Sequence, residues 1–470
     1  MTVKRILCLT LAAVTAALCF TACTGKDQKA DFQFSADQKA MYDHIPQADL
    51  DGYNFRILSR KGMVKDQFIE EETGDIISDA IYRRNETVKA LLNCEITSIE
   101  SSSIKADDAI NTILAGDDQY DIILPHSRSA FAYAVQNCLI NFNDVKTIDL
   151  SNDWWSKDIV DSCNINGYLY VLDGDISTHR LHYAFTMYFN KRIFDELGLE
   201  YPYQDALNGE WTFDKFAKLV KQGSKDLNGD GIIKQDDDQF GYYTWDTYGP
   251  IQVLYTGGQR IYAKDQRGLP KLSLNSPKTV EVYSKYFDLV NSEDVFIQVQ
   301  QKKMSTGDHF VAGRSMFADR SLGSAKEMRS MSDDFGILPW PKFTKDDEYA
   351  TAINGHASLM VMPITVSDPD TSGMVIEALS AVGQMEVIPA FYDVSLKTKF
   401  SRDYESEAMI DIVKNSLIYD LGYVSGGTLQ ACGERLAAQS NPDFSAYYAA
   451  NESRALSDLN NFLRNYAKIG

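Results

Sequence analysis

From residue 54 onward the apolar positions alternate between two periods. Residues 54–58 read as a short strand, after which Ile76, Ile77, Ala80, Ile81, Val88 and Leu91 recur at helical spacing. Residues 94–99 read as a second strand, and Ala109, Ile110, Ile113 and Leu114 mark another helix. Tyr120-Asp121-Ile122-Ile123-Leu124 is then an apolar run of the kind found in buried strands, stopped by Pro125. Strand, helix, strand, helix, strand predicts a parallel sheet, because parallel neighbours need a long crossover. Ligands of such sheets sit beyond the carboxyl ends of the strands, which directs attention to Ser59-Arg60-Lys61 and Pro125-His126-Ser127-Arg128. Any one of these residues reads equally as plain surface loop.

The start of the chain follows another pattern. Lys4 and Arg5 precede an apolar run over residues 6–20, and Thr21-Ala22-Cys23-Thr24-Gly25 follows it. A charged flank, a short apolar core and small residues predict a cleaved export signal over residues 1–22, too short to span a bilayer. With a cysteine at the first mature position, the junction resembles the lipobox of bacterial lipoproteins, although Phe20 replaces the usual leucine. That resemblance implies acylation of Cys23 and a protein held by lipid on the extracellular face of the cytoplasmic membrane. Residues 23–49, largely polar and without clear period, read as anchor and tether. No later apolar run is expected to approach the roughly 18 residues of a membrane span, Leu359-Met360-Val361-Met362 being the densest short one.

The 470 residues suffice for two or three ordinary domains or one large two-lobed unit. A formal charge of −20 opposes binding to nucleic acid or to an anionic lipid surface. Beyond the signal and Cys23, the cysteines Cys94, Cys138, Cys163 and Cys432 lack metal spacing and predict no disulfide framework, a single bridge remaining open.

The middle of the chain sets aromatic residues beside polar ones: Trp154-Trp155, Tyr168, Tyr170, His179, His182, Tyr183, Tyr188, and Tyr242-Tyr243-Thr244-Trp245-Asp246-Thr247-Tyr248. Rings interleaved with Asp and Asn suit a sugar, whose apolar face stacks while its hydroxyls need planar partners; most such rings are nevertheless core. Tyr188-Phe189-Asn190-Lys191-Arg192-Ile193-Phe194-Asp195-Glu196-Leu197-Gly198-Leu199, followed by Trp211-Thr212-Phe213-Asp214-Lys215-Phe216, resembles the signature of family 1 extracellular solute-binding proteins, the substrate-capturing lipoproteins of ABC importers. Asp121-Ile122-Ile123-Leu124, Phe310-Val311-Ala312-Gly313-Arg314-Ser315-Met316-Phe317 and Phe335-Gly336-Ile337-Leu338-Pro339-Trp340-Pro341 fall in the family's order. Thr212 also fits a helix N-cap.

The resemblance implies an α/β, two-lobed, type II periplasmic-binding-protein fold, with a ligand cleft between lobes joined by crossing hinge strands. It places crossings near residues 170–175, 316–319 and 352–356. An N-terminal lobe would comprise residues 50–172 with 318–352 and a C-terminal lobe 173–317 with 353–425. The segment after Asp411, with Tyr419-Asp420-Leu421-Gly422-Tyr423 and a C-terminal helical segment 426–470, reads as structural. Implied ligand contacts are Arg60, His126, Asp173, Asp175, Trp245, Asp246 and Tyr248, with Asp319 and Arg320 as further candidates. The insertion between Leu172 and Tyr188 departs from the family pattern.

Asp226, Asn228 and Asp230 at loop positions 1, 3 and 5, Gly231 at 6, the Ile232 carbonyl and Asp237 at 12 match a calcium loop of EF-hand type; the short Asp at 12 predicts weak affinity and a structural role. An Asx-rich turn without metal is the competing reading. His179 and His182 lack a third ligand at zinc spacing. No nucleophile elbow, HExxH, Walker loop or dinucleotide fingerprint is present, and abundant carboxylates do not by themselves make a glycosidase. The sequence thus predicts a monomeric, non-enzymatic lipoprotein that delivers a carbohydrate, expected to be an oligosaccharide, to an ABC permease. The alternatives are a binder of another small solute and a surface glycoside hydrolase.

Overall fold

A computed structural model describes residues 42, 45, 47–233, 237–298, 308–397 and 404–469. The predicted signal, Cys23 and most of the tether lie outside the described residues.

The first lobe follows the apolar pattern. Strands β1 (Tyr53–Ser59), β2 (Cys94–Glu100) and β3 (Ile122–Leu124) form an all-parallel sheet in the order β2-β1-β3. Between β1 and β2 runs the helix Ile76–Leu92; the Asp75 carboxylate caps its first turn by accepting from the Ser78 N–H at 3.0 Å, and Asn93, at φ 46°, stops it. Its Ala80 and Ile81 pack with Val387 and Ala390 of a later helix, Pro369–Lys397. Contrary to expectation, Pro369–Tyr392 is long and apolar enough to cross a membrane by length and composition, but most of it is buried inside the fold. It is apolar because it serves as a core element.

The densest apolar run also joins this lobe. Val361 bridges Ile123 and Met360 bridges Leu172, both antiparallel, so residues 358–363 lie beside β3. A segment buried on both faces is satisfied by such a central slot.

The second lobe is a mixed sheet ordered β10-β4-β9-β5-β8, made of β4 (Phe185–Asn190), β5 (Phe240–Trp245), β8 (Val295–Gln298), β9 (Ser315–Ser321) and β10 (Phe335–Leu338); β6 (Tyr262–Lys264) and β7 (Pro270–Leu272) form a separate pair. β5 is parallel to β8 and β9, whereas β4 is antiparallel to β9 and β10. The helix Phe213–Gly223 comes so close to β5 that a Cβ on Gly241 would lie 1.8 Å from the Val220 carbonyl oxygen. Thr212 occupies the N-cap position of that helix in extended conformation, but its side chain makes no capping hydrogen bond.

This pairing corrects the expected division of the chain. Residues 318–352 do not join the first lobe, because β9 and β10 hydrogen-bond to β4; Met316 and Asp319 therefore lie inside a strand of the second sheet and not at a crossing. Residues 358–390 in turn return to the first lobe, while Ile388 and Phe391 near the end of the long helix also reach the second lobe's core. The chain crosses along residues 173–184 and again at 353–357, and the helix Tyr404–Asn415 packs on β10 of the second lobe.

The C-terminal helix Phe444–Tyr466 touches both lobes. Phe444 lies 5.4 Å from Tyr283 of the second, while the Tyr466 hydroxyl accepts from the Tyr170 N–H at 3.2 Å and donates to the Cys163 carbonyl at 2.9 Å in the first. Cys94, Cys138, Cys163 and Cys432 are buried free thiols.

Candidate functional site

The loops after β1, β3 and β5 and the crossing at 353–357 converge between the lobes. A cavity of ≈ 200 Å³ is lined there by His126 and Arg128 of the first lobe, Tyr248 and Tyr283 of the second, and His356 of the crossing. His126 precedes the helix Ser127–Val135, and its Nδ1 accepts from the Arg128 N–H at 3.2 Å, which leaves the ring proton on Nε2. Its ring meets His356 edge-on at 5.2 Å. Gly355 lets the crossing segment pass close to both side chains: a Cβ there would lie 3.3 Å from Arg128 Nε and 3.4 Å from His126 Cε1. Beneath His356, the buried Arg60 donates from Nη1 to the His356 carbonyl at 2.6 Å. Tyr248 packs its ring on Phe185, with centroids 4.7 Å apart.

Tyr183 stands between this cavity and a second one of ≈ 240 Å³ lined by Asp66, Thr178, His182, Gly323 and Lys326; its ring is 6.4 Å from His356 and 4.7 Å from His182. The buried His179 spans the crossing. Its Nδ1 accepts from the Ser358 N–H at 3.3 Å, so the proton resides on Nε2 and is donated to Asp66 at 2.9 Å. Lys326 of the second lobe faces Asp75 of the first at 3.8 Å.

Burial pushes His126 down to about 3, with Arg60, His356, Arg128 and Lys105 adding repulsion. Burial likewise takes His182 down to about 4, and it lowers His356, helped by Arg60 and Arg128. At neutral pH these rings are uncharged, and His126, whose Nδ1 is taken by Arg128, offers the Nε2 donor. For Asp66 burial acts upward, but the His179 hydrogen bond and nearby positive groups outweigh it and hold the carboxyl low.

The residues expected at the ligand divide into two sets. His126 and Tyr248 line the cavity, and Arg60 lies directly behind it. Asp173 and Asp175 are buried in the crossing. Asp173 accepts from the Tyr419 hydroxyl at 3.3 Å, whereas Asp175 pairs with Arg180 and accepts from Gln384 at 3.3 Å. Asp246 is buried at the end of β5, with its N–H on the Gln298 carbonyl at 3.0 Å, and Trp245 is half-buried; neither lines the cavity. Asp319 is buried within β9, accepting from the Thr244 hydroxyl at 3.0 Å, and Arg320 pairs with Asp308 over the Tyr243 ring. Tyr423, Gln430 and Glu434 complete the cavity from the C-terminal segment that the sequence marks as structural. The guanidinium of Arg128 lies 5.2 Å from the Tyr423 ring centroid. The clustered Tyr419-Asp420-Leu421-Gly422-Tyr423 and the glycine pair at 426–427 were the available signal.

In the loop predicted to hold calcium, Asp226 accepts from the N–H groups of Gly229 and Gly231 at 2.6 and 2.7 Å, Asn228 from Asp230 at 2.8 Å, and Asp230 from Ile232 at 2.9 Å. These are Asx turns, in which the side-chain oxygens satisfy the loop's own backbone. Asp237 is exposed, and residues 234–236 lie outside the described residues. Among the described residues no three His, Cys, Asp or Glu side chains gather as for a metal.

No protein-family model matches the chain, and no curated protein matches its sequence. Solved structures do match. The GacH receptor of Streptomyces glaucescens, studied unliganded and with acarbose, superposes with a TM-score of 0.55 at 11% identity, covering 89% of this chain and 99% of that one. A solute-binding protein of an ABC transporter from Thermotoga lettingae, bound to α-D-tagatose, gives 0.53 at 12% identity over 88% and 100%. The maltose/maltodextrin-binding domain MalE of Bdellovibrio bacteriovorus, bound to maltotriose, gives 0.53 at 11% over 87% and 100%. All three are receptors or binding proteins. Together with the two sheets and their crossings, these likenesses show that the chain has the two-lobed α/β fold of the ABC-transporter solute-binding proteins.

Proposed function

We propose that this protein captures a carbohydrate between its lobes and presents it, chemically unchanged, to an ABC permease, working as a monomer tethered outside the cytoplasmic membrane through Cys23. The observation that carries this reading is the inter-lobe cavity lined by uncharged imidazoles and tyrosines from both lobes. Neutral imidazoles bring hydrogen-bonding groups for hydroxyls, His126 as a donor through Nε2, and tyrosine rings cover a sugar's apolar face. Arg128 adds donors to the cavity, and Arg60 braces His356 from behind, neither with a covalent role. In this mechanism open and closed forms interconvert, and a ligand touching both lobes favours the closed one, which the permease recognises.

A thermal-shift screen against mono- and oligosaccharides, followed by calorimetry and product analysis, tests the reading. At a hundred times its dissociation constant a ligand stabilises by about 2.7 kcal/mol, a shift of several degrees for a chain of this size. A sugar that raises the melting temperature and is recovered intact supports it. A consumed sugar makes the protein an enzyme, and a response to charged solutes alone makes it a binder of another class. The calcium role of the 226–237 loop stands on its sequence pattern. A melting temperature raised by calcium and restored by a chelator supports it, and an unchanged one removes it.

A further inference from the structure

The C-terminal helix Phe444–Tyr466 and the loop 425–431 enclose a groove of ≈ 580 Å³, much larger than the inter-lobe cavity of ≈ 200 Å³. The two adjoin: Gln430 and Ala431 line both, so the loop is a sill between them. Along the helix, the groove is lined by Tyr447, Asn451, Arg454, Asp458, Asn461 and Asn465, at alternating steps of four and three residues. That spacing puts them in one stripe about 27 Å long at 1.5 Å of rise per residue. Phe462 supplies an apolar floor, its ring stacked on Tyr466 at 5.0 Å.

The groove is held open by its own structure. Gly426 and Gly427 turn the loop at φ 84° and 127°, a region closed to most side chains. Asp458 then ties the loop to the helix, accepting from the Thr428 N–H at 2.8 Å and its hydroxyl at 2.7 Å. Arg454, Asn461 and Asn465 are exposed, and their side chains have no hydrogen-bond partner among the described residues. Side-chain amides present a donor and an acceptor in one plane, and a guanidinium presents a fork of donors. This is the partner set of a chain of vicinal hydroxyls. An extended peptide would instead seek an open sheet edge or apolar side-chain pockets, and the groove is walled by a helix and a loop.

We propose that this groove is an outer binding site for the same ligand: an oligosaccharide places one end in the inter-lobe cavity and lays its remaining units over the sill and along the C-terminal helix. The proposal rests on the carbohydrate reading above. The segment read from sequence as structural thereby sets the preferred chain length.

Calorimetry on the full-length chain with neutral malto-, cello-, xylo- and manno-oligosaccharide series, from monosaccharide to pentasaccharide, tests it. Affinity should continue to rise beyond the disaccharide. Arg454→Ala, Asn461→Ala and Asn465→Ala combined should weaken the pentasaccharide about tenfold, as expected for losing a few solvent-exposed hydrogen bonds, and leave the shortest ligand within about twofold. All three positions are exposed, so the melting temperature should not move. An affinity that levels off at the disaccharide, or a triple variant with full affinity at every length, overturns the groove and leaves inter-lobe capture standing. Failure of every series to bind overturns both.

Discussion

Asp173, Asp175 and Asp319 sit behind the cleft, whereas His126, His182 and His356 line it, and burial is the first cause of every departure in both groups. It drives the carboxyls up, Asp173 to about 6 and Asp319 to about 7, and the imidazoles down. Both sets thus move toward neutrality, but with different outcomes. The acids have partners inside the protein: Tyr419 for Asp173, Arg180 and Gln384 for Asp175, and Thr244 for one oxygen of Asp319, whose buried Oδ1 has no hydrogen-bond partner among the described residues. The imidazoles keep an edge toward a cavity. A polar residue near a crossing is therefore not a ligand contact by virtue of its type; what matters is whether the fold has already satisfied it.

Substitutions behind the cleft should act on stability, and substitutions within it on binding. The largest effect is expected at Gly383, where the helix Pro369–Lys397 meets the first crossing and a Cβ would lie 2.0 Å from the Asp175 carbonyl oxygen. Because backbone cannot yield as a side chain does, Gly383→Ala should cost about 2–4 kcal/mol in chemical denaturation. A variant as stable as the parent would show that the contact between helix and crossing is loose.

Asp319→Asn comes next and carries a sign. The folded carboxyl is raised above its unfolded value, so its contribution is full below about pH 4 and is lost as the pH rises through about 7. Asparagine retains an acceptor for Thr244 and has no proton to lose. The variant should exceed the parent by about 2–4 kcal/mol at pH 8, with the gap shrinking toward pH 4. Denaturation curves at the two pH values measure this, and a gap independent of pH would remove burial as the cause.

Smaller effects belong to the cleft. Tyr248→Ala and His126→Ala should each weaken a bound sugar about tenfold, the loss of one ring face or one well-placed hydrogen bond, with melting temperatures within a few degrees of the parent. A large loss of stability without a change in affinity would move these residues to the structural set. The smallest expected effect is that of pH on binding. His126 and His182 titrate near 3 and 4, so affinity should vary by less than about twofold between pH 5.5 and 8. A steep change across that range would mean that a charged imidazole takes part.

By itself, the sequence determined the local elements and the first lobe's order. The strand at 54–58, the helix beginning at Ile76 and the apolar run ending at Leu124 lie where periodicity places them, and the positions of Arg60 and His126 follow from a parallel sheet. Period and strand–helix order are properties of neighbouring residues, so they are legible in one dimension. Tertiary structure alone decided which sheet received the later segments. Met316-Phe317-Ala318 pairs within the second lobe, and Met360-Val361 pairs within the first, because an apolar stretch buried on both faces fits any central slot and only long-range hydrogen bonding selects one. The same holds for the acids and for the C-terminal segment. Asp173 is interior because Tyr419, distant in sequence, reaches it, and Tyr423, Gln430 and Glu434 face the cleft because the final helix is anchored to both lobes. Burial and partnership are relations between residues far apart along the chain, and they exist only once the chain has folded.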